Sequence, residues 1–381
     1  MKKRIFALIS VIVIMFAGIP AAHAEEITPE LNCESAILME AVTGTVLFEK
    51  DADKALPPAS VTKIMTLLLT VEAIEKGSMK WDDMISASAN AASMGGSQIY
   101  LKEGEEMTVE DLVKSVVIAS ANDAAVALAE AVAGSEEVFV SRMNERAAEL
   151  GMKNTHFENT NGLDDTVTNH VTSARDIAIM SRELIKHEKI LQYSSTWMDS
   201  VRNGEFGLTN TNRLVRFYNG ATGLKTGSTS KAKFCMSATA ERDGMSLIAV
   251  IMAAPSRDER NSAAKTLLDY GYANFSLYKK AAELPDTVKV TGGDRDECKI
   301  EAEPFCAVVK KGSDAKIEYQ ASISENVKAP IKSGDTVGEV VYTLDGTEIG
   351  KTPIVAKESV NKANFFDIFL KIIGWFLVKS R

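Results

Sequence analysis

Apolar positions along the chain repeat with two different periods, and the changes between them outline its organisation. Ser35 to Glu40 and Thr45 to Lys50 are strand-like runs flanking Thr43-Gly44, which predicts a hairpin. Pro57-Pro58-Ala59 then introduces a long apolar stretch, Ser60 to Glu75, stopped by Gly77, the pattern of a buried helix. Helical spacing continues through Val109 to Ile118, Asp123 to Ala133 and Ala174 to His187. Strand-like runs return at Thr222 to Thr226, Phe234 to Ala240 and Met245 to Ala253, the last two joined around Asp243-Gly244. Ala263 to Tyr272 reads as a closing helix. Strands that bracket a helical block predict an α/β domain with a mostly antiparallel sheet.

From about Leu284 the texture changes to short alternating runs: Val288 to Val290, Lys316 to Tyr319, Gly338 to Tyr342 and Ile354 to Ala356. Separated by Gly, Asp and Pro, they predict a small all-β domain over 284–358. Both ends of the chain read as membrane-directed. Lys2, Lys3 and Arg4 precede an apolar stretch from Ile5 to Ala17, and Ala22-His23-Ala24 fits the small-x-small cleavage rule, so 1–24 is expected to be a signal peptide. Over 362–381, Asn364, Asp367, Lys371 and Gly374 form one narrow stripe of a helix whose remaining surface is apolar. That pattern suits a helix lying in the lipid interface.

Composition narrows the function. The 381 residues carry a formal charge of −9, more negative still once the basic leader is removed. Such a chain is poorly suited to neutralising nucleic-acid phosphates. Four cysteines without a C-x-x-C exclude a disulfide-dense scaffold and a zinc ribbon. Cys298 and Cys306 are close enough in sequence to leave a local disulfide open, whereas Cys33 and Cys235 read as buried thiols. There is no G-x-S-x-G, H-E-x-x-H or P-loop, and no metal or cofactor is called for.

Three short motifs remain: Ser60-Val-Thr-Lys63, Ser120-Ala-Asn122 and Lys225-Thr-Gly227. The first two patterns recur elsewhere by chance; K-T-G occurs once. Their context sets these copies apart. Lys63 lies one turn beyond Ser60 at a helix start, so an amine falls within reach of a hydroxyl. Burial favours the neutral amine, which makes the pair a nucleophile with its own base. Ser120 falls at a break between helices. Lys225-Thr226 lies on a strand, and Gly227 is expected to let a substrate backbone approach the strand edge.

Together with Pro57 to Lys63, Gly95-Gly-Ser97, Asn154 to Phe157, Asn161-Gly-Leu163 and Gly223 to Gly227, these motifs resemble the penicillin-recognising serine D-alanyl-D-alanine carboxypeptidases. The resemblance covers nearly the whole chain; Ala121 stands where many members carry Gly. It implies a β-lactamase/transpeptidase-like domain over 25–276, antiparallel sheet plus helical block, followed by the small all-β domain and the amphipathic helix. It also implies roles. Ser60 would be acylated by the penultimate D-Ala carbonyl of a peptidoglycan stem peptide, Lys63 would take its proton, and Ser120, linked to Lys63 and Lys225, would pass a proton to the leaving amine. Asn122, Lys225, Thr226 and Arg213 would hold the substrate, and the backbone N–H groups of Ser60 and Ser228 would form the oxyanion hole. β-Lactams would inhibit, His156 and His170 would pack or hydrogen-bond rather than catalyse, and the exported enzyme would sit at the outer face of the cytoplasmic membrane or be secreted. The rival readings are a class A β-lactamase, against which count S-A-N in place of S-D-N and the lack of an E-x-x-L-N run, and an inactive surface-binding protein. A transpeptidase differs only in the acceptor.

Overall fold

A computed structural model describes residues 28–165, 167–324, 327–370 and 373. The expected signal peptide and the end of the C-terminal helix lie outside these residues. Strands β1 (Ser35–Glu40) and β2 (Val46–Lys50) form the expected hairpin. Two short ribbons follow, β3 (Met84–Ser86) with β4 (Glu106–Thr108) and β5 (Met198–Val201) with β6 (Phe206–Thr209). Strands β7 (Ala221–Thr229), β8 (Lys233–Arg242) and β9 (Met245–Ala254) join the first pair in an antiparallel sheet of order β2-β1-β9-β8-β7. That order leaves β7, which carries Lys225-Thr226-Gly227, as a free edge.

The helical block fills one side of this sheet. Helices Lys63–Glu75 and Asn122–Ala133 are buried on almost every face, and the alanines of the second let the two backbones approach closely. Val109–Ile118 matches its expected bounds, with Thr108 Oγ1 accepting from Asp111 N as the N-cap. Ala174–Leu184 stops three residues short of the expected His187. Among the described residues four helices lie outside the sequence expectations: the one-turn Ala89–Ala92 and Leu214–Phe217, Glu188–Ser194, and Glu136–Glu149, capped by Ser135 and burying Phe139, Met143 and Ala147 at helical spacing. The closing helix is longer than expected, Arg257–Asn274, because Ser256 caps it seven residues upstream of Ala263.

The long stretch from Ser60 is not one continuous helix. Ala59–Thr62 forms a 3-10 turn and the α-helix begins at Lys63, since Ala59 enters from the left-handed region at φ +49°. The closing helix runs straight into β10 (Phe275–Lys280), which pairs with β13 (Phe305–Lys310). Strands β11 (Thr287–Thr291), β12 (Glu297–Ala302), β14 (Ile317–Ile323), β15 (Val327–Lys328), β16 (Thr336–Leu344) and β17 (Thr347–Ala356) make a six-stranded sheet around Val290, Ile300, Val340, Tyr342 and Ile354. All four cysteines are unbonded. Cys298 lies opposite Val288 in the large sheet and Cys306 opposite Lys279 in the two-stranded ribbon, so the strands hold them in different layers. Residues 365–370 are helical and begin in a capping box: Asn364 Oδ1 accepts from Asp367 N, and Asp367 Oδ2 accepts from Asn364 N. No helix among the described residues is long and apolar enough to cross a membrane.

Candidate active site

The three motifs meet at the free edge of β7. Lys63 is fully buried, and its Nζ lies 2.8 Å from Ser60 Oγ and 2.8 Å from the carbonyl of Asn161. Burial first, and the charge of Lys225 second, hold the Lys63 ammonium well below the usual lysine range, with Asp123 opposing. A neutral Nζ donates to the Asn161 carbonyl and keeps its lone pair for the Ser60 hydroxyl proton. Asn161 reaches this position because Gly162 adopts φ +82°, where a Cβ would fall 1.9 Å from Ala59 O.

Ser120 is also buried and sits at φ +64°, a conformation fixed on its C-terminal side by Ala121 N donating to Ser115 O and Asn122 N donating to Ser97 O. Its Oγ accepts from Lys225 Nζ at 2.7 Å. Lys225 is brought down to about 7 by burial, with the nearby Arg260 charge adding to the effect. No hydrogen bond joins Ser120 to Lys63 among the described residues, so the two lysine–serine pairs stand as separate couples. Asn122 Nδ2 donates to Gly95 O, while its buried Oδ1 has no partner and is left an unsatisfied acceptor. The buried Asp123 accepts from Ile99 N and Leu101 N and so holds the loop that carries Ser97.

Gly227 has a different purpose from the one its sequence suggested. A Cβ there would meet Ser60 N at 2.8 Å and Pro58 O at 2.9 Å. The glycine therefore lets β7 press against the turn bearing Ser60, and the approach it permits is protein against protein. Thr226 donates to Thr211 Oγ1 at 2.8 Å. Ser228 and Arg213 are exposed at the mouth of a cleft of about 700 Å³, which Ser60, Ser97, Ser120 and Thr226 also line. Arg216, Arg257, Arg260 and Trp197 complete its wall; the sequence reading passed over all four. His170 does not line the cleft but braces the Ser60–Lys63 turn from behind. Its Nδ1 accepts from Glu158 N, so Nε2 carries the proton and donates to Thr62 Oγ1 at 2.8 Å. His156 Nδ1 contacts Asn169 O at the surface.

A serine hydroxyl served by a buried amine, beside a sheet edge with an unpaired side, defines a serine acyl-transfer hydrolase of the transpeptidase and β-lactamase fold. Residues 21–256 match the profile of the family described as D-alanyl-D-alanine carboxypeptidase, and residues 272–362 match that of the penicillin-binding protein 5 C-terminal domain. The D-alanyl-D-alanine carboxypeptidase DacF of Bacillus subtilis is 41% identical, with 98% of each chain covered. DacA of Escherichia coli is 31% identical over 92% of this chain and 91% of its own. Penicillin binding protein 5 from Haemophilus influenzae superimposes with a TM-score of 0.75 at 30% identity, covering 88% of this chain and 99% of that one. Penicillin-binding protein D2 from Listeria monocytogenes, solved in an ampicillin-bound form, gives 0.59 at 30% identity over 64% of this chain and 100% of that one. The chain belongs to the serine-type D-alanyl-D-alanine carboxypeptidases, a family of penicillin-binding hydrolases.

Proposed function

We propose that Ser60 is the nucleophile that removes the terminal D-Ala from a peptidoglycan stem peptide, and that the reaction runs through the two lysine–serine pairs in turn. The contact that carries this reading is the 2.8 Å approach of the buried Lys63 Nζ to Ser60 Oγ. Lys63 takes the hydroxyl proton as Oγ attacks the penultimate D-Ala carbonyl. The oxyanion is met by the backbone N–H groups of Ser60 and Ser228, donors each worth roughly 3–4 kcal/mol in comparable sites. Collapse expels the D-Ala amine, which receives its proton through Ser120 and Lys225. Water then cleaves the ester, giving its proton through Ser120 to Lys225 while Lys63 returns its own to Ser60 Oγ. Asn122 Oδ1, left without a donor, takes an amide N–H of the substrate, and Lys225, Thr226 and Arg213 orient its terminal carboxylate.

β-Lactams acylate the same serine. The ring-opened product keeps its body in the cleft and obstructs water, whereas departed D-Ala leaves that space open. Labelled penicillin is expected to attach to Ser60, with labelling abolished in Ser60→Ala and Lys63→Ala. A diacetylated Lys-D-Ala-D-Ala peptide is expected to release one D-Ala per turnover; rapid penicillin hydrolysis without D-Ala release would overturn the assignment in favour of a β-lactamase. The enzyme acts at the outer face of the cytoplasmic membrane, where its substrate lies. Support comes from the apolar helix at 365–370, on which Phe365 is 78% and Phe366 73% exposed. Deleting 362–381 is expected to release the protein from vesicles and leave peptide hydrolysis intact.

A further inference from the structure

Ser120 and Lys225 belong to different layers of the molecule. Ser120 lies two residues beyond the helix Val109–Ile118, and Lys225 lies on β7, at the edge of the sheet. Their side chains nevertheless meet at 2.7 Å. Proton transfer across such a contact tolerates little drift, so the helix end and the edge strand have to be held at one spacing.

A short strap, Asn210-Thr211-Asn212, is tied to both. Its asparagines are buried, at 5% and 1% exposure, while Thr211 between them is exposed. Thr211 N donates to the carbonyl of Ile118, two residues before Ser120. Toward the sheet, Asn212 Nδ2 donates to Gly223 O at 2.7 Å, two residues before Lys225. Thr226, the residue after Lys225, donates its hydroxyl to Thr211 Oγ1. The strap is itself fixed by its amides. Asn210 Nδ2 donates to Ser194 O and Thr196 O, Asn210 Oδ1 accepts from Asn212 N, and Asn212 Oδ1 accepts from Leu214 N. Buried amides cost stability unless they are bonded, and bonds this directional fix a separation that apolar contacts leave free to slide.

We propose that Thr211 and Asn212 are positioning residues for protonation of the leaving amine. They grip β7 on both sides of Lys225 and the helix end before Ser120, and so set the distance between the two. This rests on the carboxypeptidase reading: the bond from Ser60 Oγ to the carbonyl carbon forms, the C–N bond to D-Ala breaks, and the departing nitrogen gains its proton through Ser120 and Lys225. Thr211 and Asn212 exchange no proton themselves.

Two soluble substrates separate this role from a structural one: diacetylated Lys-D-Ala-D-Ala and its ester analogue ending in D-Ala-D-lactate. Both carry the terminal carboxylate and give the same acyl-enzyme. An amine must gain a proton to leave, whereas the less basic alkoxide of lactate needs less help. In the full-length mature protein, kept in detergent, Thr211→Val is expected to lower kcat/KM about tenfold for the peptide and less than about twofold for the ester. Thr211→Ser is expected to restore the wild-type ratio. Asn212→Asp, which puts a second acceptor oxygen where the donor to Gly223 O stood, is expected to act in the same direction as Thr211→Val. Equal losses on the two substrates, wild-type values in Thr211→Val, or no recovery in Thr211→Ser overturn the inference and leave the carboxypeptidase reading intact. Should Asn212→Asp not fold, the Thr211 variants decide alone. Cleavage of neither substrate, by wild-type protein that still binds penicillin covalently, overturns the reading and the inference together.

Discussion

The two halves of the molecule bury very different things. Within the sheet-and-helix half, Lys63, Asn122, Asp123, His170, Lys225 and Arg260 are all at or below 6% exposure. The C-terminal β half has a core of Val, Ile, Tyr and Cys side chains, and the buried polar residue found there among the described residues is Thr352. Burying an amine without a carboxylate costs free energy that a folding core has no use for. Where a structure carries that cost at three motifs converging on one cleft, the burial supports chemistry: it neutralises Lys63 and leaves Asn122 with a spare acceptor. The β half stacks Phe305 on Tyr342 at 4.2 Å between ring centroids and buries no charged side chain among the described residues.

This contrast can be broken from either side. Tyr342→Ala is expected to destabilise the β half by about 3–5 kcal/mol, the range for deleting a fully buried aromatic, with penicillin acylation of Ser60 unchanged. Chemical denaturation followed alongside labelling measures both; a parallel loss of acylation would show that the halves are not energetically separate. His170 probes the other side. Burial brings its imidazole down to about 4, so between pH 6.5 and 4 the unfolded chain holds a proton that the folded chain does not. The associated stability is present in full above about pH 6.5 and is lost as pH falls toward 4, by about 3 kcal/mol in all. Denaturation midpoints across that range are expected to fall steeply in the wild type and less so in His170→Gln.

Gly227→Ala sharpens the comparison at the site. A methyl group 2.8 Å from Ser60 N must push β7 and the Ser60 turn apart, and displacement of that order is expected to cut the acylation rate about a hundredfold. Penicillin-labelling kinetics give the number, and a wild-type rate would show that the contact is tolerated. The smallest effect concerns pH. Lys225 contributes to lowering Lys63, so Lys225→Met removes a positive charge and lets the Lys63 value rise. The acid limb of the pH–acylation profile is therefore expected to move to higher pH, on top of a lower plateau rate.

The amino-acid sequence alone determined most of the strands and helices and the residues of the three motifs. Val109–Ile118 and Ser35–Glu40 follow from local patterning at their observed bounds. Ser60, Lys63, Ser120, Asn122 and Lys225 were legible because hydroxyl, amine and amide sit at fixed short spacings. What depended on contacts far apart in the chain was not. The carbonyl of Asn161 comes to Lys63 across 98 positions, and the pairing of Lys225 with Ser120 spans 105. Gly227 read as an open edge until the Ser60 turn was found against it, and Arg216 with Trp197 drew no notice because isolated surface-type residues carry no periodic signal. Sequence spacing reports neighbours within a turn or along a strand. Burial of an unpaired charge, and what lies beside it, is decided only when the sheet closes on the helices.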